Sequence, residues 1–360
     1  MKTGPDQQPR PILDRPIRLA LIGCGRISKN HFEAIRDNGQ LELVAVCDIH
    51  PERAATAGRE QGVPAYTDIE KMLREGGADA VVICTPSGLH PRHGIAVAKA
   101  GLHVISEKPM ATRLADADEL VRACDTAGVN LFVVKQNRLN PSVQALKRAL
   151  EKGRFGRVYM ANTTVRWSRP QDYYDQAKWR GTWEFDGGAF MNQASHYVDM
   201  IQWLIGPVES VMAKTATLAR RIEAEDSGAA VLRFRSGALG VIEVTMLTYP
   251  RNLEGSITVL GEKGTVKISG TAMNRVETWD FAEYDDDDRE IDALKLAPNP
   301  QSIYGAGHRP YYENVLRTLR GEEATGTDGR DGRKSLELIL GIYESAKTGQ
   351  EVPLPLRSVR

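Results

Sequence analysis

An apolar hexapeptide, Ile17–Ile22, runs straight into Gly23-Cys24-Gly25-Arg26-Ile27-Ser28. No other stretch constrains the fold as much. A buried strand that ends in a two-glycine turn and restarts as a helix opens a β-α-β unit, and such units build parallel sheets covered on both faces. The pattern continues. Strand candidates Leu41–Cys47, Ala80–Cys84, Leu102–Ser106 and Leu131–Val134 alternate with helix candidates Ser28–Asn38, Pro51–Gln61, Asp68–Glu75, Pro91–Ala100 and Leu114–Ala127. In a sheet of this kind ligands sit beyond the carboxyl ends of the strands.

After Asn140 the periodicity changes. A helix over Ser142–Lys152 leads into a loop, Val165–Asp186, rich in Trp, Tyr and Arg; a helix from Ala189 to Ile205 follows. Ala229–Arg235 and Gly240–Met246 alternate with period two around a Ser236-Gly237 turn. Ser256–Leu260 and Thr265–Ile268 flank Gly261-Glu262-Lys263-Gly264. These signals predict an antiparallel sheet with one face on helices and one mixed face suited to an oligomer interface. Tyr311–Arg320 and Arg330–Lys347 read as closing helices, and Asp285–Asp288 as a solvated loop. The expectation is an α/β protein with a loose extension (1–16), a Rossmann domain (17–138) and a C-terminal α+β domain (139–360) that carries a large, mostly antiparallel sheet.

Bulk properties exclude several partners. Lys plus Arg total 47, as do Asp plus Glu, so the basic excess of a nucleic-acid or anionic-membrane binder is missing. No apolar stretch approaches the ~20 residues that span a bilayer. The first 16 residues hold no apolar core of a secretion signal. Cys24, Cys47, Cys84 and Cys124 form no Cys-x-x-Cys pair and read as reduced, buried thiols of a cytoplasmic protein.

The glycine turn gains weight from its context. Gly23 permits the tight turn, and Gly25 lets backbone N–H groups approach a pyrophosphate at a helix N-terminus, with Arg26 and Ile27 in the same loop. Ser28 replaces the usual third glycine. Asp48 follows Gly25 by 23 positions, at the end of the second strand, where its carboxylate would take ribose hydroxyls and repel a 2′-phosphate. NAD is therefore favoured over NADP, with Arg53 nearby. The competing reading makes Asp48 only the start of a turn. Thr85-Pro86-Ser87 would wall the nicotinamide, with His90 on the next loop. His90 and His93 lack a third ligand, so no metal is expected.

Glu107-Lys108-Pro109 places a titratable lysine at a strand end. Beside a cationic nicotinamide its charged form is disfavoured, which suits a general base. Pro109 restricts the preceding residue, and the Lys108-Pro109 bond is open to cis or trans. A plain surface lysine is the competing reading. The second cluster, Asp186-Gly187-Gly188 through Asn192-Gln193-Ala194-Ser195-His196, puts Asn192 and His196 on one face if the segment is α-helical, with Asp199 nearby. Arg166, Arg169, Lys178 and Arg180 among Trp167, Tyr173, Tyr174, Trp179 and Trp183 offer bidentate grips for carboxylate or phosphate and rings for stacking.

Together these residues resemble the glucose–fructose oxidoreductase/inositol dehydrogenase/MocA (Gfo/Idh/MocA) family over Ile17 to about Glu351. The resemblance implies that Lys108 and His196 flank the reacting sugar carbon and that Glu107, Gln136, Trp179 and Arg180 contact NAD. It assigns Asn137, Arg166, Asn192, Gln193 and Ser195, with Lys108 and His196, to the substrate. It also suggests a homotetramer. Many family members carry Asp-x-Gly-x-His where this chain has Asn192-Gln193-Ala194-Ser195-His196, so the proton falls more to Lys108. Gly23–His31, Lys135–Arg138, Gly181–His196 and Asn252–Gly264 look like a nucleotide-sugar branch of the family. That branch implies NAD-dependent oxidation of the 3″-hydroxyl of UDP-N-acetyl-glucosaminuronic acid, on the route to lipopolysaccharide O-antigen sugars. Some of its members recycle NADH with 2-oxoglutarate. The alternatives are an inositol or free-sugar dehydrogenase and a sugar-responsive regulator.

Overall fold

The computed structural model describes residues 11–270, 272–297, 307–322 and 327–356. In chain order the elements are β1 (Ile17–Ile22), α1 (Ser28–Arg36), β2 (Leu41–Cys47), α2 (Pro51–Gln61), β3 (Ala65–Tyr66), α3 (Ile69–Glu75), β4 (Ala80–Ile83), α4 (His90–Lys99), β5 (His103–Ser106), α5 (Leu114–Ala127) and β6 (Leu131–Val133). Then come α6 (Pro141–Glu151), β7 (Val158–Arg166), α7 (Gln171–Asp175), a π-helical turn (Ala189–Gln193), α8 (Ser195–Ile205), β8 (Val208–Ala216), β9 (Ser227–Phe234) and β10 (Leu239–Thr245). The remainder is β11 (Glu254–Gly261), β12 (Gly264–Ser269), β13 (Arg275–Phe281), α9 (Ile291–Lys295), α10 (His308–Leu319), α11 (Gly329–Thr348) and β14 (Val352–Pro353).

The chain divides into two compact units. One takes the residues up to Lys135 together with His308–Arg333, the other Gln136–Gly307 and the residues from Lys334 onward. This differs from a single cut at 138/139: α10 returns to the first unit, where it packs on α1.

In the first unit six strands lie in the order β3-β2-β1-β4-β5-β6, all parallel. The apolar runs of β1 and β4 are buried, as strands covered on both faces must be. The order reverses between β1 and β4, so Gly23, Thr85 and Glu107 leave their strands at the same edge. The two-residue β3 was too short to show a period in the sequence.

Within the expected loose extension, residues 11–16 are tied down, while 1–10 lie outside the described residues. Ile12 N donates to Leu319 O at 3.0 Å, and the Arg320 guanidinium caps the carbonyls of Ile12 and Arg15. Arg15 also reaches Asp79 at 2.5 and 2.8 Å, and Asp79 takes the Arg18 N–H at 2.8 Å.

The second unit carries an eight-stranded sheet in the order β13-β12-β11-β7-β10-β9-β8-β14. Neighbours are antiparallel except β7 and β10, which run parallel. On β9 Ala230, Leu232 and Phe234 are buried while Val231 points out, 55% exposed, the alternation of a half-covered sheet. β7, β8 and β13 add to the strands read from sequence. The aromatic loop is shorter than expected, because β7 runs through Arg166 and α7 covers Gln171–Asp175. Asp285–Asp288 has no buried residue and is ordered as a capped turn: Asp285 and Asp288 exchange side-chain and backbone bonds. Lys152 pairs with Asp285 at 2.8 Å and with Asp287 at 2.9 Å, and Arg154 with Asp288 at 2.6 Å.

Asp79 yields a stability prediction. Burial opposes its ionisation, but the bonds from Arg15 and Arg18 hold its pKa below the usual carboxylate range. With a depressed folded value, the stabilisation is complete above about pH 4 and fades as pH falls through that value. Both arginines are over a third exposed, which weakens the pairs. Asp79→Asn is expected to lose about 1–2 kcal/mol in urea unfolding at pH 7 and progressively less toward pH 2. An equal loss at both ends would contradict the account.

Candidate active site

At the carboxyl edge of the parallel sheet, Gly23 has φ +95°, and a Cβ there would meet the Cys84 carbonyl at 2.8 Å. Only glycine fits both constraints. At Gly25 an added Cβ would meet nothing within 4 Å, so the loop is open on that side for a phosphate group to approach its backbone. Arg26 is exposed and Ile27 half-buried at the start of α1. Ser28 fits the third glycine position because its hydroxyl is satisfied locally, donating to Gly25 O at 2.7 Å.

Asp48 is 7% exposed. Its Oδ2 accepts the Cys24 N–H at 2.9 Å and its Oδ1 the His50 N–H at 2.8 Å. The turn and the acid are thus one unit, and each oxygen keeps a lone pair for a further donor. Cys24 is half-buried, less than expected. Burial and the Asp48 charge push its thiol up to about 12.

Thr85, Pro86 and Ser87 follow β4, with Ser87 opening a short turn. His90 is buried, its Nδ1 2.8 Å from Pro109 O and its Nε2 2.7 Å from Thr85 O. This one ring ties the β4 loop to the β5 loop. Burial lowers its pKa while the two carbonyls pull the other way. His93 bonds Thr85 Oγ1 at 3.0 Å, so the two histidines hold Thr85 from its main chain and its side chain.

Lys108 is half-exposed at the end of β5, and its bond to Pro109 is cis. Glu107 beside it faces the interior. Its Oε2 accepts the Lys108 N–H at 3.0 Å, and its Oε1 lies 3.0 Å from His31 Nε2 and 3.9 Å from His308 Nε2. Tyr312 Oη holds the other His31 nitrogen at 2.8 Å. Burial would raise the Glu107 pKa, yet His308 close by and the hydrogen-bonded His31 hold it well below the ordinary value. Among the described residues these three side chains form one group with metal-ligand character. Here it anchors the lysine's backbone.

In the second unit the expected helix from Ala189 is interrupted. Ala189–Gln193 is π-helical and α8 starts at Ser195, so Asn192 and His196 do not share a regular helical face. The π turn is held from outside. Asp186 accepts the Asn192 amide through Oδ1 and the Gly181 N–H through Oδ2 at 2.7 Å. Gly187 has φ +73°, with Met191 Cβ 2.5 Å from where its own Cβ would be.

Arg138 grips Asp199 of α8 with two 2.7 Å bonds, both ends buried. That pair brings Gln136 to His196, whose Nε2 accepts from Gln136 Nε2 at 3.2 Å; this requires a neutral ring with the proton on Nδ1. Ser195 donates to Asn192 O at 3.1 Å. Gln136 Oε1, Asn137 Oδ1 and Gln193 Nε2 are buried without a hydrogen-bond partner among the described residues. Buried polar atoms of this kind call for an explanation, and a polar ligand supplies one.

The cationic cluster is more divided than the sequence suggested. Arg166 is turned to Glu243, at 2.6 and 2.7 Å, and to Glu254 at 3.1 Å on the adjoining strands. Arg169 and Arg180 both lie over the Tyr173 ring, at 5.4 and 4.4 Å, and Arg180 also covers Trp179 at 4.7 Å. Arg180 Nε is buried with no partner among the described residues. Sequence reasoning missed Glu225 and Tyr343, which support the π turn. The one hint was Gly188, where a Cβ would fall 1.8 Å from Glu225 Oε2.

Two family models cover the chain: "Oxidoreductase family, NAD-binding Rossmann fold" matches residues 17–135, and "Oxidoreductase family, C-terminal alpha/beta domain", the Gfo/Idh/MocA C-terminal model, matches 147–354. D-apiose dehydrogenase of Paraburkholderia graminis is 31% identical, over 93% of this chain and 89% of its own. Myo-inositol 2-dehydrogenase of Thermotoga maritima is 29% identical, over 94% and 98%. Among solved structures, the WlbA dehydrogenase of Bordetella pertussis in complex with NADH and UDP-GlcNAcA is 59% identical with a TM-score of 0.93, covering 96% of this chain and 100% of that one. The WlbA dehydrogenase of Chromobacterium violaceum, with the same two ligands, is 55% identical with a TM-score of 0.91, over 96% and 98%.

The glycine turn can be tested directly. In Gly23→Ala the new methyl collides with backbone that has no rotamer to yield. NADH binding, followed by fluorescence, is expected to weaken at least about tenfold, the effect of ~1.4 kcal/mol, with the circular dichroism spectrum unchanged. Unaltered affinity would mean that the turn does not carry the dinucleotide.

Proposed function

The chain belongs to the Gfo/Idh/MocA oxidoreductase family, and from that premise we propose that it oxidises the 3″-hydroxyl of UDP-N-acetyl-glucosaminuronic acid to a ketone with NAD. The coarser activity, an NAD-dependent sugar dehydrogenase, stands on the family match and its relatives. What carries the finer one is the 59% identity, over nearly the whole chain, to a dehydrogenase solved with that sugar nucleotide. The curated free-sugar and inositol relatives reach only 26–31% over comparable coverage.

In this reading Gly23, Gly25 and Asp48 hold the dinucleotide, with Thr85, Pro86 and Ser87 beside its nicotinamide. NAD, when bound, supplies the hydride acceptor. Lys108 takes the hydroxyl proton, its backbone fixed by Glu107. His196 assists: its Nε2 lone pair, held by the Gln136 amide, turns to the hydroxyl when the sugar takes the amide's place. Asn192 cannot take a proton and orients the sugar instead, with Asn137, Gln193 and Ser195. Arg180, with its unsatisfied buried donor, is the better candidate than the paired Arg166 for the carboxylate or diphosphate, since a fork of donors matches both. The keto product would pass to an amine-transferring enzyme of lipopolysaccharide O-antigen assembly in the cytoplasm. A homotetramer through the mixed face of the second sheet completes the reading.

The test is nicotinamide reduction with UDP-N-acetyl-glucosaminuronic acid, UDP-N-acetylglucosamine, myo-inositol and glucose, each with and without 2-oxoglutarate. Turnover, or 2-hydroxyglutarate formation, is expected with the uronate alone. Lys108→Met should lower kcat at least about 100-fold, the usual scale for losing a general base, and leave NADH affinity within twofold. Turnover of inositol or glucose in place of the uronate would reject the substrate; an unchanged kcat would reject Lys108.

A further inference from the structure

Under the π turn lies a buried acid that the reaction does not use. Glu225 is 2% exposed. Its main-chain carbonyl accepts the Ala189 N–H at 3.0 Å, and its Oε1 accepts the Phe190 N–H at 2.9 Å. Tyr343 Oη, from α11, donates to the same Oε1 at 2.9 Å and accepts from Gly188 N at 3.4 Å and Met191 N at 3.2 Å. Four consecutive backbone donors, 188–191, are thus met by two residues. They are the donors that any helix start leaves unsatisfied. Glu225 Oε2 has no hydrogen-bond partner among the described residues and rests on the bare Cα of Gly188. The second glycine of Gly187-Gly188 exists to admit this carboxyl group.

We propose that Glu225 and Tyr343 are positioning residues, a clamp that sets Asn192, Gln193 and His196 for the sugar, and that its ionised form is the productive one. This rests on the reading that those side chains bind the substrate. A π turn widens the helix and re-aims the side chains beyond it, which is why such turns recur at functional sites. Without fixed acceptors for its N–H groups it has no reason to hold one geometry. An ionised carboxylate makes the stronger acceptor bonds, and Oε1 already receives two.

Burial raises the Glu225 pKa to about 7, opposed by the bonds from Phe190 and Tyr343 and reinforced by the charge of neighbouring Asp226. Asp226 and Tyr343 are the titratable groups that act on it. The clamp therefore tightens as pH rises through neutrality. Stability moves the other way: a carboxyl raised above its unfolded value costs the fold progressively more between about pH 4.3 and its folded value.

The experiment compares wild type, Tyr343→Phe and Glu225→Gln by steady-state kinetics between pH 5.5 and 9, and by amide hydrogen exchange over 188–192 in the ligand-free protein. Tyr343→Phe is expected to lower kcat/KM for the sugar nucleotide about tenfold, with the KM for NAD within twofold. Glu225→Gln should lose several-fold at pH 8 and little at pH 5.5, erase one ionisation near 7 from the profile, and unfold at a higher temperature than wild type at pH 8. Amides 188–192 should exchange faster in both variants, after correction for intrinsic rates. Folded variants with wild-type kcat/KM and an unchanged profile would overturn the proposal. If Glu225→Gln does not fold, Tyr343→Phe decides alone. If wild type ignores the sugar nucleotide, the substrate reading fails separately, and exchange decides the clamp: unaltered protection in Tyr343→Phe rejects it.

Discussion

A single buried carboxylate organises the first unit. Glu107 is buried at the end of β5, 4% exposed, so its folded partners must replace bulk hydration or the charge becomes untenable. His31 comes from α1, His308 and Tyr312 come from α10, and the Lys108 backbone N–H completes the set. These contacts explain why a helix near the end of the chain folds back on the dinucleotide unit instead of staying with the segment before it. They also explain how a flexible side chain can act from a defined place. The Lys108 backbone is bonded to a group that cannot leave, so its side chain starts from a fixed point.

The second unit solves the opposite problem. Its polar side chains project from a turn with poor internal hydrogen bonding. Order there comes from below, from Glu225 and Tyr343, and from the side, where Arg138 and Asp199 fix the Gln136 turn against α8. Part of the polar equipment is left with buried atoms that nothing among the described residues satisfies. Such atoms cost stability in the absence of a ligand, and that cost is a driving force for taking up a molecule with complementary donors and acceptors.

Much of this was legible in the sequence. β1, β2, α2 and α5 match the apolar periodicities to the residue, because a strand buried on both faces tolerates little but apolar residues, and helix ends here are marked by glycine at 62 and 128 in left-handed geometry. The glycine turn, Asp48, Lys108 and His196 stood out because their chemistry is tied to position in the chain. The π turn did not, since a break in helical register leaves no trace in periodicity when every residue around it is buried. Nor did the partners of Glu107 and Gly188. His308 lies 201 positions from Glu107 and Tyr343 155 from Gly188, and a single sequence carries no signal across such distances. The partners of Arg166 were hidden for a related reason: its glutamates are on strands remote in sequence.

If Asp48 takes the ribose hydroxyls as proposed, it does two jobs with one carboxylate. The oxygen that takes the Cys24 N–H also shapes the glycine turn. Cofactor choice and loop order are therefore not separable traits in this chain. Replacing Asp48 by a neutral residue to admit a 2′-phosphate would also release the glycine turn from its strand. A drift from one nicotinamide cofactor to the other needs a second change that re-anchors the Cys24 amide, and neither step alone is an improvement.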